Sequence, residues 1–363
     1  MHSRERVRRA LTFKHPDRAP RDLWHLPGIS MYRRDELDAM RKLFPSDFGG
    51  VDVTFSRSER ARGTPAVVGT YVDDWGCGWS VAEPGVVGEV KYPPLANWSA
   101  LDHWCPPYEV LDGADFSRVN ASYASSDKFV TGGGGNPWER MQFLRGTENL
   151  MMDLAWGVAE VYRLRDMVHE FFLRGLEMWV KTDVDAIGLG DDWGTQRGLL
   201  ISPRLWREFY KPLYAEYCRI THGAGKFVFF HSDGHIMEIY PDLIEVGVNA
   251  VNSQLFCMDI EEIGRRFKGQ VTFWGEIDRQ NVLPFGTVAA VRAAVRRVRL
   301  ALDDGRGGVI AQCEWGIGVK AENVAAVFEA WEEELSGSPL TGRDFGLVSG
   351  VRRIPDDTRF SLS

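Results

Sequence analysis

"FVFFHSDGH", residues 227–235, runs four apolar residues into a polar end and then turns at a glycine. A short run rich in Phe and Val, closed by such a turn, predicts a buried strand. Side chains alternate along a strand, so Phe227, Phe229, His231 and Asp233 share one face. An imidazole and a carboxylate on one face suit a metal site, an acid/base pair or a buried hydrogen bond. The same design recurs in "GLGDDWG" (188–194), "NSQ" (252–254), "WGEID" (274–278) and "QCEWG" (312–316), each a polar end to an apolar run.

Helical patterns separate these runs. "SPRLWREFYKPLYAEYCRITHG" predicts one helix over 202–223, with Ser202 as its cap and Pro203 in its first turn. Strands alternating with helices predict parallel βαβ units. Polar strand ends favour a (β/α)8 barrel, a TIM barrel, whose strand C-termini face one mouth. A doubly wound open sheet is the alternative. We expect a single domain over 1–363. Residues 1–125 form an N-terminal helix and an elaborated cap, 126–340 carry the regular βα repeats, and 341–363 are a C-terminal tail. The opening helix over 3–13 has Ser3 as its cap, and "VDVTF" (51–55) is the expected N-terminal strand.

Composition narrows the function. The net charge is −8 and no basic stripe interleaves with aromatics, which disfavours nucleic-acid binding. There is no run of eighteen apolar residues and the start is too polar for a signal peptide, so no membrane segment is expected. Five cysteines without a CxxC pair fit a reducing, cytoplasmic setting. "TGGGGNPW" (131–138) lacks the Lys and Ser/Thr of a phosphate loop and reads as a turn.

The chemistry is expected at the strand ends. Asp191, Asp192, Asp233, Glu276, Asp278 and Glu314 would crowd one mouth, and their mutual repulsion would raise some of their pKa values. Asp192, Asp233 and Glu276 are the candidate catalytic acids. On the last strand one face carries Cys313 and Trp315 and the other carries Gln312 and Glu314. Nitrogen, thiolate and carboxylate are all zinc ligands, which makes His231, Asp233, Cys313 and Glu314 the candidate metal ligands. Trp75, Gln196, Asn252, Gln254 and Trp315 are the candidate substrate-binding residues.

The stretches "SRERVRRALTFKHPDRAP", "GEVKYPPLANWSALDHW", "HSDGHIMEIYPDLIEVGVNAVN", "VTFWGEIDRQNVL" and "GGVIAQCEWGIGVKAENVAAVFEA" together resemble the uroporphyrinogen decarboxylase superfamily. This superfamily holds tetrapyrrole decarboxylases and zinc-dependent methyltransferases that use methylcobalamin or corrinoid proteins. The resemblance implies the barrel and a site at its mouth. "LWHLPGISMYRR" (23–34) lacks the arginine-rich loop of the decarboxylases, and Trp315 stands where they carry a histidine. The methyltransferase branch uses His-x-Cys where this chain has His231-Ser232-Asp233, and a second cysteine near Cys313. The resemblance therefore implies methyl transfer assisted by zinc, with a corrinoid as substrate or borne by a partner protein. Asp192, Gln196 and Asn252 would orient ligands or substrate, and Trp24, Trp75 and Trp79 would cover a flat corrinoid face. Two alternatives stay open: a metal-independent lyase acting on a tetrapyrrole or small acid, and a barrel that binds such a ligand without catalysis. A homodimer is an open expectation.

Overall fold

Alternation along the strands builds two cores. The computed structural model describes residues 1–334, so the expected tail lies outside the described residues. Eleven strands are present among them: β1 Arg21–His25, β2 Phe48–Gly49, β3 Gly69–Val72, β4 Gly78–Val81, β5 Glu89–Tyr92, β6 Phe129–Gly133, β7 Ala186–Gly190, β8 Phe227–Ser232, β9 Ala250–Ser253, β10 Thr272–Trp274 and β11 Val309–Trp315. Eight of them form one sheet in the order β1-β11-β10-β9-β8-β7-β6-β2, with parallel neighbours throughout. At the free edges, the Asp47 N–H donates to the Arg21 carbonyl at 2.9 Å, and the Arg21 N–H donates to the Asp47 carboxylate at 2.7 Å. Helices lie between the strands, so the sheet curls into the expected (β/α)8 barrel.

Phe129, Ala186, Phe229, Ala250, Trp274 and Ile310 point inward and fill the barrel, with Trp24, Phe48 and Phe227 against them. Val7 and Leu11 of helix Ser3–Leu11 join this inner cluster and plug the bottom. The cap of that helix is His2, whose Nδ1 accepts from the Glu5 N–H, and not Ser3, which is its first residue. Ile187, Leu189, Val228, Phe230, Val251 and Cys313 point outward into the larger core beneath the helices. Burying each large apolar side chain contributes roughly 1.5–3 kcal/mol.

Two further expectations are corrected. "VDVTF" forms no strand; Thr54 makes an isolated bridge to Asp115, and the barrel takes Phe48–Gly49 instead. The helix expected over 202–223 is two helices, Pro203–Phe209 and Lys211–Gly223, meeting at Tyr210. Pro212 has no N–H for the carbonyl one turn back, which explains the break. Ser202 caps the first helix as expected, its Oγ accepting from the Leu205 N–H. The cap folds around the antiparallel sheet β3-β4-β5.

Candidate active site

Three side chains meet where β7 and β8 end. Gly188 and Gly190 share the inner face of β7 with Ala186, and the same alternation directs Asp192 into the mouth. His231 Nε2 lies 3.4 Å from Asp192 Oδ1 and 3.7 Å from Asp233 Oδ1. All three ligand atoms lie within 4.8 Å of one another. Backbone geometry enforces the meeting. A Cβ on Gly234 (φ +81°) would fall 2.1 Å from the Gly194 carbonyl oxygen, so the loops after β7 and β8 touch backbone to backbone. The Gly194 N–H donates to the Asp233 carbonyl at 3.1 Å, and the Asp233 N–H donates to Asp192 Oδ1 at 2.8 Å. That is why the strand of residues 227–232 breaks at a glycine.

The imidazole is oriented by a chain of bonds. Asn252 Nδ2 donates to the Trp274 carbonyl at 2.5 Å, which fixes the amide so that its Oδ1 faces His231 Nδ1 at 2.6 Å. An amide oxygen only accepts, so Nδ1 carries the proton and Nε2 faces the two carboxylates. Trp24 lies against the ring at 5.5 Å between centroids, and its indole N–H and that of Trp274 both donate to buried Asp22 below. Burial pushes the Asp22 carboxyl up to about 6, against the pull of those two donors.

Burial opposes charge on His231, but the Asp192 hydrogen bond and charge, the Asp233 charge and the Asn252 bond outweigh it and raise the imidazole to about 9. Burial also opposes ionisation of Asp192, and its bond to His231 reverses that, leaving this carboxyl below its usual value. Glu276 is buried and pushed up to about 8 by burial first; Arg279 pulls it down, and the Asp233 and Glu314 charges push it up again. Arg279 Nη1 donates to Glu314 at 2.7 Å, its Nε lies 3.2 Å from Glu276, and its other terminal nitrogen donates to Asp233 Oδ2. Gln196 Nε2 donates to Gln254 Oε1 at 3.4 Å, and that oxygen also accepts from the Gly234 N–H. Gln196, Gln254, Cys257, Glu276, Arg279 and Asn281 line a cavity of about 50 Å³ beside the cluster.

Some expected residues lie elsewhere. Ile310 enters the inner core, so Glu314 faces the mouth and Cys313 and Trp315 face outward. Cys313 is fully buried and its thiol pKa is raised by burial; it does not join Asp192, His231 and Asp233. The Trp315 indole N–H donates to the Val319 carbonyl. Trp75 is buried in the cap against Phe171 and Trp104, and Trp79 stacks on Tyr71. Only Trp24 of the three expected cover residues reaches the mouth. Asp191 points outward and accepts from the Trp138 and Glu139 N–H groups at 3.1 and 2.8 Å and from the Tyr214 hydroxyl, capping helix Pro137–Arg145. Asp278 accepts from the Gln280 and Asn281 N–H groups and holds its own turn.

Sequence reading missed Arg279 and Glu139. Arg279 sits three residues after Glu276, the only sequence signal it gave. Glu139 opens helix Pro137–Arg145, and burial and the Asp192 charge push its carboxyl up to about 7.

The donor set fits a divalent metal. Asp233 Oδ1 is buried and has no hydrogen-bond partner, and it faces an Nε2 whose opposite nitrogen is tied to a carbonyl oxygen. That is how a metal-ligating histidine is held. A family model described as "Uroporphyrinogen decarboxylase (URO-D)" matches residues 117–334. The chain belongs to the uroporphyrinogen decarboxylase family. This family member shares its fold with a methyltransferase from Methanosarcina mazei, at 15% identity and a TM-score of 0.67, over 91% of this chain and 98% of that one. An endo-beta-1,4-xylanase from Gloeophyllum trabeum follows at 11% identity and a TM-score of 0.42, over 89% and 98% of the two chains, a likeness on which nothing rests. No curated protein matches the sequence. No helix among the described residues is long and apolar enough to cross a membrane.

Proposed function

We propose that this family member transfers methyl groups, with Asp192, His231 and Asp233 holding a zinc ion and a corrinoid, free or carried by a partner protein, as the methyl donor. The observation that carries the reading is the convergence of His231 Nε2 and the two carboxylates around the orphaned Asp233 oxygen. The fold shared with a methyltransferase supports it. One nitrogen and two oxygens leave a fourth position open, as in catalytic rather than structural zinc sites. Bound zinc would supply Lewis acidity that lowers the pKa of an acceptor group, readying it to attack the methyl carbon.

The chain's own side chains do the rest. Asn252 accepts from Nδ1 and so turns Nε2, not Nδ1, toward the two carboxylates. Gln196 and Gln254 offer amide groups to the substrate from the neighbouring cavity. Glu276, protonated near neutral pH, is placed to deliver a proton there. Decarboxylation of a polycarboxylate fits poorly, because Asp192, Asp233, Glu276 and Glu314 face only one guanidinium and one imidazole. The test is demethylation of methylcobalamin, read from its absorbance with a thiol acceptor present. Zinc-loaded protein should consume it and His231→Ala should not; equal rates in both contradict the proposal.

The burial of Glu276 favours a second reading, because it pushes that carboxyl up to about 8 against the pull of Arg279, toward the acid a metal-independent lyase would use. That reading predicts turnover of a small carboxylic acid after exhaustive chelation, lost in Glu276→Gln.

A further inference from the structure

Arg279 bridges three carboxyl groups of the mouth. It spans the ends of β8, β10 and β11 by engaging Asp233, Glu276 and Glu314 with three different nitrogens. Only a planar guanidinium has donors enough, at fixed angles, to serve three carboxyl groups at once. With Oδ2 of Asp233 held by Arg279, only Oδ1 is left to face His231.

We propose that Arg279 is the positioning residue that sets the metal preference of this mouth. It restricts Asp233 to one free oxygen and keeps Glu276 and Glu314 from turning toward the ion. The inference rests on the metal reading given above. With Arg279 in place, the ion meets one nitrogen and two single carboxylate oxygens, a set suited to small, four-coordinate zinc. Without it, Asp233 can offer both oxygens and two more carboxylates can swing in. One nitrogen and five oxygens make a six-donor set that suits manganese better than zinc. Arg279 is also a fixed positive charge beside the ion, so its loss strengthens binding of every divalent cation, and most of all those that gain the extra oxygens.

The test uses the full chain stripped by a chelator and titrated with zinc alone and with manganese alone, in competition with a chromogenic chelator. Arg279→Gln should narrow the zinc-to-manganese affinity ratio by at least about tenfold, through tighter manganese binding. Arg279→Lys should give a smaller change in the same direction, because an ammonium can hold one of the three carboxylates but not all. Circular dichroism checks folding, and if three uncompensated acids unfold Arg279→Gln, the lysine variant carries the test. Zinc bound by the wild type with the ratio unchanged in a folded variant overturns the role of Arg279 alone. A wild type that binds no zinc overturns the metal reading and this inference together.

Discussion

His231 is a proton-holding residue as long as no cation replaces that proton. Its raised pKa, about 9 against an ordinary 6.5, means that the folded state favours the charged ring. The stabilisation is therefore complete below pH 6.5, while Asp192 stays ionised, and is lost as pH rises through 9. In the metal-free protein the stability gap between wild type and His231→Gln, followed by urea unfolding at a series of pH values, should close between pH 6.5 and 9. A gap that widens over this range contradicts the ion-paired ring. Zinc must displace the same proton, so its affinity should climb with pH up to about 9. Asn252→Ala removes the partner of Nδ1 and should weaken zinc binding by about 10–100-fold. Cys313→Ala should leave zinc binding unchanged, since that thiol lies in the outer core; loss of zinc there would contradict the assignment of faces.

Two loops that touch at Gly194 and Gly234 give the ends of β7 and β8 their geometry. Gly234→Ala places a methyl group in the left-handed region and against a carbonyl oxygen 2.1 Å away, so the loops must separate. We expect zinc affinity to fall at least tenfold, on the order of the loss of a ligand-orienting contact, with the far-ultraviolet circular dichroism preserved. Which elements were legible follows from the same geometry. The five strands from β7 onward announce themselves because each is an apolar run with a polar end and a helix after it. β2 is two residues long and is set by its pairing with β6, so no pattern reveals it, and the alternation of "VDVTF" pointed a few residues too far along. On β11 the sequence separates Cys313 from Glu314 but cannot say which face is inside. Ile310 packing against the inner aromatics decides it. Arg279 gave only its spacing from Glu276 as a signal, because its other two partners, Asp233 and Glu314, come from strands far from it in sequence.

The whole barrel depends on its bottom as much as on its mouth. Arg6 on helix Ser3–Leu11 donates to buried Asp47 at 2.6 Å and to Asp17 at 2.6 Å, tying the plug to the seam between β1 and β2. Arg6→Ala strips a charge partner from a buried carboxylate and should cost about 3 kcal/mol in urea unfolding; a loss within about 0.5 kcal/mol, the range of an ordinary surface change, would mean that Arg18 alone neutralises Asp47. At the opposite end, the strand termini gather more carboxyl groups than cations, and the account rests on what that surplus holds. The decisive measurement is the metal content of untagged protein purified without chelator, by plasma emission, for wild type and His231→Ala. We expect about one zinc per chain, the capacity of one three-ligand site, and its loss in the variant with the fold retained. Folded wild type grown with zinc and carrying none would contradict it, and the acids of the mouth would then belong to a metal-independent lyase.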